Sequence, residues 1–521
     1  MDERFTAAWA VLPDYLGHHV LLSTAALALG VLISLPLMVA ASRSARLRWP
    51  VLAIASLVQT IPSLALLALF FPLLLALSHL SQRLLGHGFS ALGFLPSLLA
   101  LTLYSMLPIL RNGTAAIMGV DRAVIEAARG VGMTDRQRLF GVELPLAFPL
   151  IMAGIRTAAV WVIGAATLST PVGQTSLGNY IFSGLQTENS VSVLFGCIAA
   201  AVLAMTVDQL LGLVENGAAT RRKTRVVVGL GLLLVGIAAA LVPIVRRPQR
   251  PTCVIGAKTF SEQYTLAHVL EARLAKAGFA VSIKDDLGST VAYRAVANGE
   301  IDVYVDYSGT LWTAVLGHRD LPPREQLLAS LGEELLRRDG VTVLGALGFE
   351  NAYAIAMGRD RAASLGIATL ADLGRHAPDL NLGTDLEFQS RAEWKSIETA
   401  YALRFKSRKQ YQPTFMYRAV QGGEADVISA FSSDGRIASQ ALVLLEDPKH
   451  ALPPYDAVVL IAPRRANDTR FREALQSLIG RIDVETMREA NLMVDRDREK
   501  ATPMAAAEWL EAHLEAAKPG P

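Results

Sequence analysis

Long apolar runs fill the first half of the chain and end at residue 245. Six of them, at about 19–40, 50–78, 91–110, 147–168, 190–213 and 226–244, have the length of about 20 residues that a helix needs to cross a bilayer. The second is long and contains Pro62 and Pro72, so a kink or a tilt is expected there. After Cys253 the period of the pattern changes. Cys253-Val254-Ile255 reads as a strand, and Ser261–Lys276 follows with Leu266, Val269, Leu270 and Leu274 on one helical face and Gly278 as its stop. Phe279, Val281 and Ile283 then alternate as a second strand. This βαβ rhythm predicts a sheet with helices on both faces. The chain is therefore expected to join an all-α transmembrane domain, residues 1–245, to an α/β domain, residues 253–521, through a short stiff linker at 246–252.

Composition fits that division. A mean hydropathy of +0.35 with 18% charged residues is too apolar for an ordinary soluble protein and too charged for a pure membrane bundle. Residues 1–245 hold a single lysine, Lys223, and carry a net charge of +5, against −3 for 246–521. Neither half is basic enough to suggest nucleic acid. With only Cys197 and Cys253, a disulfide framework and a cysteine metal site are excluded, and no cofactor is implied. Arginines set the orientation: Arg43, Arg46 and Arg48, then Arg111, Arg122, Arg129, Arg136 and Arg138, then Arg221, Arg222 and Arg225 all fall on one side of six crossings, which is then the cytoplasmic side. The α/β domain is expected outside, although Arg246, Arg247 and Arg250 stand against the rule. Arg156 and Asp208 lie within predicted spans, where an ionisable group marks a functional site, an inward-facing structural contact or a helix-end residue reaching the interface.

The second half contains an internal repeat. Tyr293-Arg294-Ala295-Val296, Gly299-Glu300 and Asp302-Val303 recur as Tyr417-Arg418-Ala419-Val420, Gly423-Glu424 and Asp426-Val427, at a constant offset of 124 residues. Each copy reads as a helix end, a glycine stop and an emerging strand. The same offset sets Tyr307 opposite Phe431, each just past its strand's carboxyl end, where open α/β sheets bind ligands. Two lobes facing a cleft are expected, lobe 1 at about 253–348 and 455–521, lobe 2 at about 349–454. Tyr307, Tyr353, Phe431 and Tyr455 are the candidate wall of that cleft. Aromatic faces attract quaternary ammonium groups, which accept no hydrogen bond and donate none. A carboxylate on the same ligand would call for an arginine fork.

A further motif lies in the segment between the third and fourth spans. Glu126-Ala127-Ala128 is followed by Gly132, Val142, Leu144 and Pro145. Two short helices broken at Gly130-Val131-Gly132 would present Glu126 and the alanines as a docking knob. The spacing resembles the EAA loop of ABC importer permeases, departing only at Val142 where isoleucine is usual. The resemblance implies a MetI-like permease fold and a cytoplasmic ATPase partner that receives this segment. No Gly-x-x-x-x-Gly-Lys-Ser/Thr occurs, so the motor is expected on another chain. Gly256–Gln263, Gly299–Thr310, Glu387–Arg391, Asp426–Ile437 and Pro453–Ala457 resemble the binding proteins of glycine betaine/carnitine/choline importers, of the type II periplasmic-binding-protein fold. The chain as a whole is similar to the fused permease–binding-protein form, which includes ergothioneine importers.

That resemblance implies a ligand cage at Tyr307, Tyr353, Phe431 and Tyr455, carboxylate-binding groups at Lys258, Thr310 and Arg391, and nearby polar groups at Gln263 and Asn351. Phe431 stands where tyrosine is usual, which keeps the ring face and loses a hydroxyl. Asp286 and Glu387 are either counter-charges for a cation without a carboxylate or, as most acids are, solvated surface groups or helix caps. A bacterial plasma-membrane homodimer with a periplasmic binding domain is the implied assembly. A ligand receptor would need a cytoplasmic signalling domain, and an enzyme would need a motif such as His-Glu-x-x-His or Gly-x-Ser-x-Gly. Neither is found.

Overall fold

Six helices among the described residues are long and apolar enough to cross a membrane. The computed structural model describes residues 3–86, 89–187, 189–245, 252–318, 320, 322–385, 388–411, 413–496 and 499–516. Arg246, Arg247, Arg250 and Glu387 lie outside them. The first helix, Glu3–Arg43, extends well beyond its apolar window. The run at 50–78 is two helices, Ala45–Thr60 and Ser63–Leu85, broken at Ile61-Pro62. Ile61 is extended, at φ −77° and ψ 125°, because the ring of a following proline disfavours the helical region. Pro72 stays inside its helix, as prolines do where neighbouring groups satisfy the freed carbonyl.

The two intramembrane charges flagged above pair with each other. Arg156, in Leu144–Ala166, donates through Nε and Nη2 to both oxygens of Asp208 at 3.0 and 2.9 Å, and through Nη1 to Glu215 at 2.7 Å. Asp208 and Glu215 lie seven residues apart in Ser190–Ala219, two helical turns and so one face. Arg156 and Asp208 thus make the contact that the structural reading expects, with Glu215 as a third member.

The chain divides into two compact units, and the second contains two five-stranded sheets. In chain order the strands are β1 (Cys253–Lys258), β2 (Val281–Leu287), β3 (Val303–Tyr307), β4 (Thr342–Glu350), β5 (Tyr353–Gly358), β6 (Asn381–Asp385), β7 (Ser407–Tyr411), β8 (Val427–Phe431), β9 (Leu442–Leu444) and β10 (Asp456–Ile461). One sheet runs β2-β1-β3-β10-β4, the other β7-β6-β8-β5-β9. In each, the first three strands are parallel and the fourth is antiparallel to its neighbour. The chain crosses between sheets after β4 and returns before β10. The crossings are tied by Asn351 N donating to Tyr455 O at 3.0 Å, and Arg324 bridges Glu350 and Asp456 on either side.

The sequence repeat is a repeat of hydrogen bonds. Asp302 Oδ2 accepts from Val254 N at 2.8 Å while its own N–H donates to Val254 O at 2.7 Å. Asp426 does the same with Asn381, at 2.9 Å in both directions. Gly299 and Gly423 both sit at positive φ, +70° and +72°, which ends the preceding helix at no steric cost. The copies differ in burial: Asp302 also receives Arg464 and Arg465 and is fully buried, whereas Asp426 is 23% exposed beside a distant Arg361.

Asp286 departs from the expectation of a solvated surface acid. The β1–β2 register slips between the pairs Gly256–Lys284 and Lys258–Leu287, and within that bulge Asp286 adopts φ +59°. The bulge turns its side chain inward, where it is fully buried and accepts from the Tyr264 hydroxyl. Burial, with Asp285 alongside, holds its carboxyl well above the usual carboxylate range.

Two outcomes are expected in unfolding measurements on the soluble half. Asp302→Ala strands two arginines and a backbone amide and should cost about 3 kcal/mol, against about 1 kcal/mol for Asp426→Ala. Equal costs would contradict the unequal burial of the two clamps. Asp286 binds its proton more tightly folded than unfolded, so its contribution is complete below the unfolded value and is lost as pH rises towards the folded one. Asp286→Asn, which cannot ionise, should therefore show a flatter decline of Tm between pH 4 and 8; a slope matching the unmodified chain would count against the buried neutral acid.

Candidate functional site

The carboxyl ends of β1 and β3, the two crossings, and the ends of β6 and β8 converge on one cavity of about 280 Å³. Lys258, Tyr307, Thr310, Asn351, Tyr353, Arg391, Phe431 and Tyr455 line it. Gln263 does not. It stands behind the wall, donating to the Tyr307 hydroxyl at 3.0 Å and accepting from Lys258 N at 3.3 Å, so it braces the ring instead of facing the space. Asp286 is not in the lining either.

Strand register builds the aromatic wall. Tyr353 opens β5 directly opposite Phe431 at the end of β8, and cross-strand neighbours bring their rings to 5.0 Å. Tyr455 meets Tyr353 edge-on at 5.8 Å and 81°, and Phe388 backs Tyr353 at 4.8 Å. The repeat breaks here: Tyr307 lies opposite Ala457, the lobe 1 counterpart of Tyr353. Tyr307 instead stacks on Phe260 at 6.1 Å.

Two of the ring hydroxyls are held by buried carboxylates. Tyr455 donates to the buried Glu393, which also accepts from Thr313 at 3.2 Å. Tyr307 donates to Glu262 at 2.5 Å. Burial first, then the adjacent carboxylate, pushes each of these two hydroxyls well above the ordinary tyrosine range, so both remain donors.

The cations differ in their company. Lys258 Nζ lies 2.5 Å from Asp306 Oδ1, with both side chains buried, and 4.6 Å from the centroid of Tyr307. Its charge is already balanced within lobe 1. Arg391, at the N-cap of Ala392–Tyr401, sets its guanidinium 5.4 Å from the Tyr353 centroid and 4.0 Å from Glu393. Arg436 is forked onto Asp434, through Nη2 at 2.6 Å.

Several lining residues escaped the sequence reading. Glu262 falls within the quoted stretch Gly256–Gln263, and Ser433, Asp434 and Arg436 within Asp426–Ile437, so a residue-by-residue treatment of those stretches could have found them. Asn491 and Asp495 had no such signal. They lie four residues apart, one helical face, on Val484–Asp495. Asp495 accepts from Ser261 at 2.5 Å, and burial pushes its carboxyl up to about 6 against the pull of Arg436.

The segment between the third and fourth spans is two short helices, Arg122–Gly130 and Asp135–Arg138, with Gly132 at φ +81° in the turn. Asp121 caps the first through Ala123 N, and Thr134 with Gln137 forms a capping box on the second. Glu126, Ala127, Gly132 and Pro145 are exposed, Ala128 is buried and Leu144 is half-buried. Val131 and Phe140 are 76% and 69% exposed on the same segment. Its anchor is Glu143, buried and paired with Arg138 at 2.7 Å and with Arg43, at the end of the first helix, at 2.5 Å.

Comparison with known proteins agrees with both halves. Residues 27–219 match the binding-protein-dependent transport system inner membrane component family. Along 93% of this chain and 86% of its own length, the ergothioneine transport permease/ergothioneine binding protein EgtU of Helicobacter pylori (strain G27) is 28% identical. The glycine betaine/carnitine/choline transport system permease protein OpuCB of Bacillus subtilis (strain 168) is 39% identical over 38% of this chain and 85% of its own. A crystal structure of a glycine betaine/carnitine/choline ABC transporter is 25% identical, with a TM-score of 0.45, over 50% of this chain and 98% of that one. With residues 251–512 matching the substrate binding domain of ABC-type glycine betaine transport systems, the chain belongs to that family, as a permease and a binding domain fused in one ABC importer subunit.

Proposed function

We propose that this subunit imports a betaine, a trimethylammonium group and a carboxylate in one small molecule, captured outside the cytoplasmic membrane. The observation that carries the reading is the meeting of Tyr353, Phe431 and Tyr455 with the Arg391 guanidinium around one cavity. Ring faces attract a quaternary ammonium, and an arginine fork matches a carboxylate. Lys258, already neutralised by Asp306, serves the ligand less than Arg391 does. Thr310 and Asn351 supply hydrogen bonds. Glycine betaine and carnitine carry both groups and are the first candidates; choline, with the ammonium group alone, would use the rings without the arginine.

Ergothioneine, a betaine that also carries a thione ring, is the second reading. The polar wall of Ser433, Asp434, Arg436 and Asn491 favours it, because a thione ring offers that wall more polar atoms to meet than an aliphatic betaine does. Phe431 in place of tyrosine leaves more room beside that wall, and the Helicobacter pylori relative that spans nearly the whole chain is named for ergothioneine.

In this scheme ligand draws the lobes together, and ATP binding by a separate cytoplasmic ATPase switches the access of a homodimeric permease. Support for the ATPase partner comes from Glu126, Ala127 and Gly132, exposed on a capped, anchored segment beside the apolar Val131 and Phe140. The arginine distribution supports the extracytoplasmic placement of the binding domain.

Calorimetric titration of the full-length chain in nanodiscs with glycine betaine, carnitine, choline and ergothioneine tests the ligand class. Heat from an aliphatic betaine supports the first reading, heat from ergothioneine alone supports the second, and none from all four removes both. Arg391→Ala should weaken glycine betaine by about 30-fold, the equivalent of about 2 kcal/mol for a carboxylate left without its partner, and choline far less. Equal losses would remove the carboxylate role. Glu126→Ala, or Gly132→Val at a positive φ, should abolish uptake in reconstituted vesicles and leave the titration unchanged. Loss of binding in either variant would refute the division of labour.

A further inference from the structure

One carboxylate at the cavity wall gathers hydrogen bonds from both lobes and from the first crossing between them. Glu262, 3% exposed, lies in the first turn of Ser261–Lys276, where free backbone amides favour a negative charge. Its Oε1 accepts from the Tyr307 hydroxyl at 2.5 Å and from Asn351 Nδ2 at 2.9 Å. Its Oε2 accepts from Ser433 Oγ at 2.5 Å and from Asn491 Nδ2 at 2.8 Å. These donors come from the end of β3, the first crossing, the turn after β8 in the opposite sheet, and the helix Val484–Asp495.

The turn that contributes Ser433 is itself pressed against that helix. Asn491 Nδ2 also donates to Ser433 O at 2.9 Å, and Arg488 Nε to Ser432 O at 2.8 Å. A side chain at Gly435 would meet Arg488 O at 2.5 Å, so the turn can approach this closely only with glycine there. Ser432 in turn exchanges bonds with Ala352, in the first crossing, at 2.8 and 2.9 Å.

We propose that Glu262 is a positioning residue that couples the ligand cavity to lobe closure. It does not need to touch ligand. It fixes the Tyr307 ring on one lobe and, through Ser433, the turn that starts just past the Phe431 ring on the other. Separating the lobes takes a donor away from a buried carboxylate, which is costly, so Glu262 favours the arrangement in which both rings face the same space. Apparent affinity scales with the population of that arrangement. The inference rests on the cavity being the ligand site.

Glu262→Gln turns one acceptor oxygen into a donor facing two donors. Ser433→Ala removes only the bond from the second sheet. For the full-length chain in nanodiscs, with glycine betaine and ergothioneine as probes, Ser433→Ala should raise the dissociation rate about tenfold with the association rate little changed, and Glu262→Gln should raise it further. The double variant should be no worse than Glu262→Gln alone. A normal off-rate in Ser433→Ala, or additive effects in the double variant, would overturn the coupling. If the unmodified chain binds neither probe, the ligand reading fails separately, and amide exchange of the ligand-free chain decides the inference. Glu262→Gln must then speed exchange at residues 432–436, and unchanged exchange there overturns it.

Discussion

An aspartate clamped to the opening of the neighbouring strand, Asp302 in one lobe and Asp426 in the other, sets where each lobe places its ligand-facing end. The clamp fixes the start of β3 against β1 and of β8 against β6. Because side chains alternate along a strand, a slip of one residue would turn Tyr307 and Phe431 to the opposite faces of their sheets. With the clamps in place, both strands run five residues and end on an aromatic ring. The cavity is therefore a consequence of register, with loops contributing the remainder.

Charge is arranged so that the aromatic wall faces a space with few unbalanced groups of its own. Lys258 is matched by Asp306, Arg436 by Asp434, and Glu393 takes the Tyr455 hydroxyl and lies near Arg391. A buried charge left alone costs several kcal/mol, so pairing Lys258 and Arg436 each within its own lobe keeps the binding domain stable before ligand arrives. Such a site discriminates by shape and by ring faces more than by net charge. That suits a ligand which is itself a zwitterion, whose two charges need local partners and no counter-ion.

The legibility of the chain follows the range of the interactions. Apolar length is a local property, and so the six spans could be read directly, whereas the full break at Pro62 exceeds the kink or tilt that the prolines implied. The repeat could be read because Tyr293–Val303 and Tyr417–Val427 each carry their helix end, glycine and strand start within one short stretch. Glu262 lay within a legible stretch, but its role could not be read there, because that role depends on Ser433 and Asn491, 171 and 229 residues away. The inward turn of Asp286 depends on a bulge and a left-handed backbone that no hydropathy pattern encodes. Likewise Arg156 and Asp208 were conspicuous as charges in apolar helices, while Glu215, their third partner, sits near enough to a span end to look like an ordinary interfacial acid.

The same contrast explains Glu143, which lies inside the resemblance-bearing segment at a position its motif leaves open. A segment that seats in a motor has to move as a body with the helices it drives, and exposed residues such as Glu126 cannot supply that stiffness. Glu143 does so by accepting from Arg138 on the segment and from Arg43 at the end of the first helix, across 100 residues of sequence. Both oxygens of a buried carboxylate are occupied by arginines, the strongest class of charge-assisted pair, at the point where the segment enters the helix Leu144–Ala166. Under the proposed coupling, Glu143 ties the second short helix of the segment to the end of the first helix, beside the chain's own continuation into Leu144–Ala166. In that proposal the exposed residues of the motif would make the contact, and the buried Glu143 would stiffen the segment that bears them.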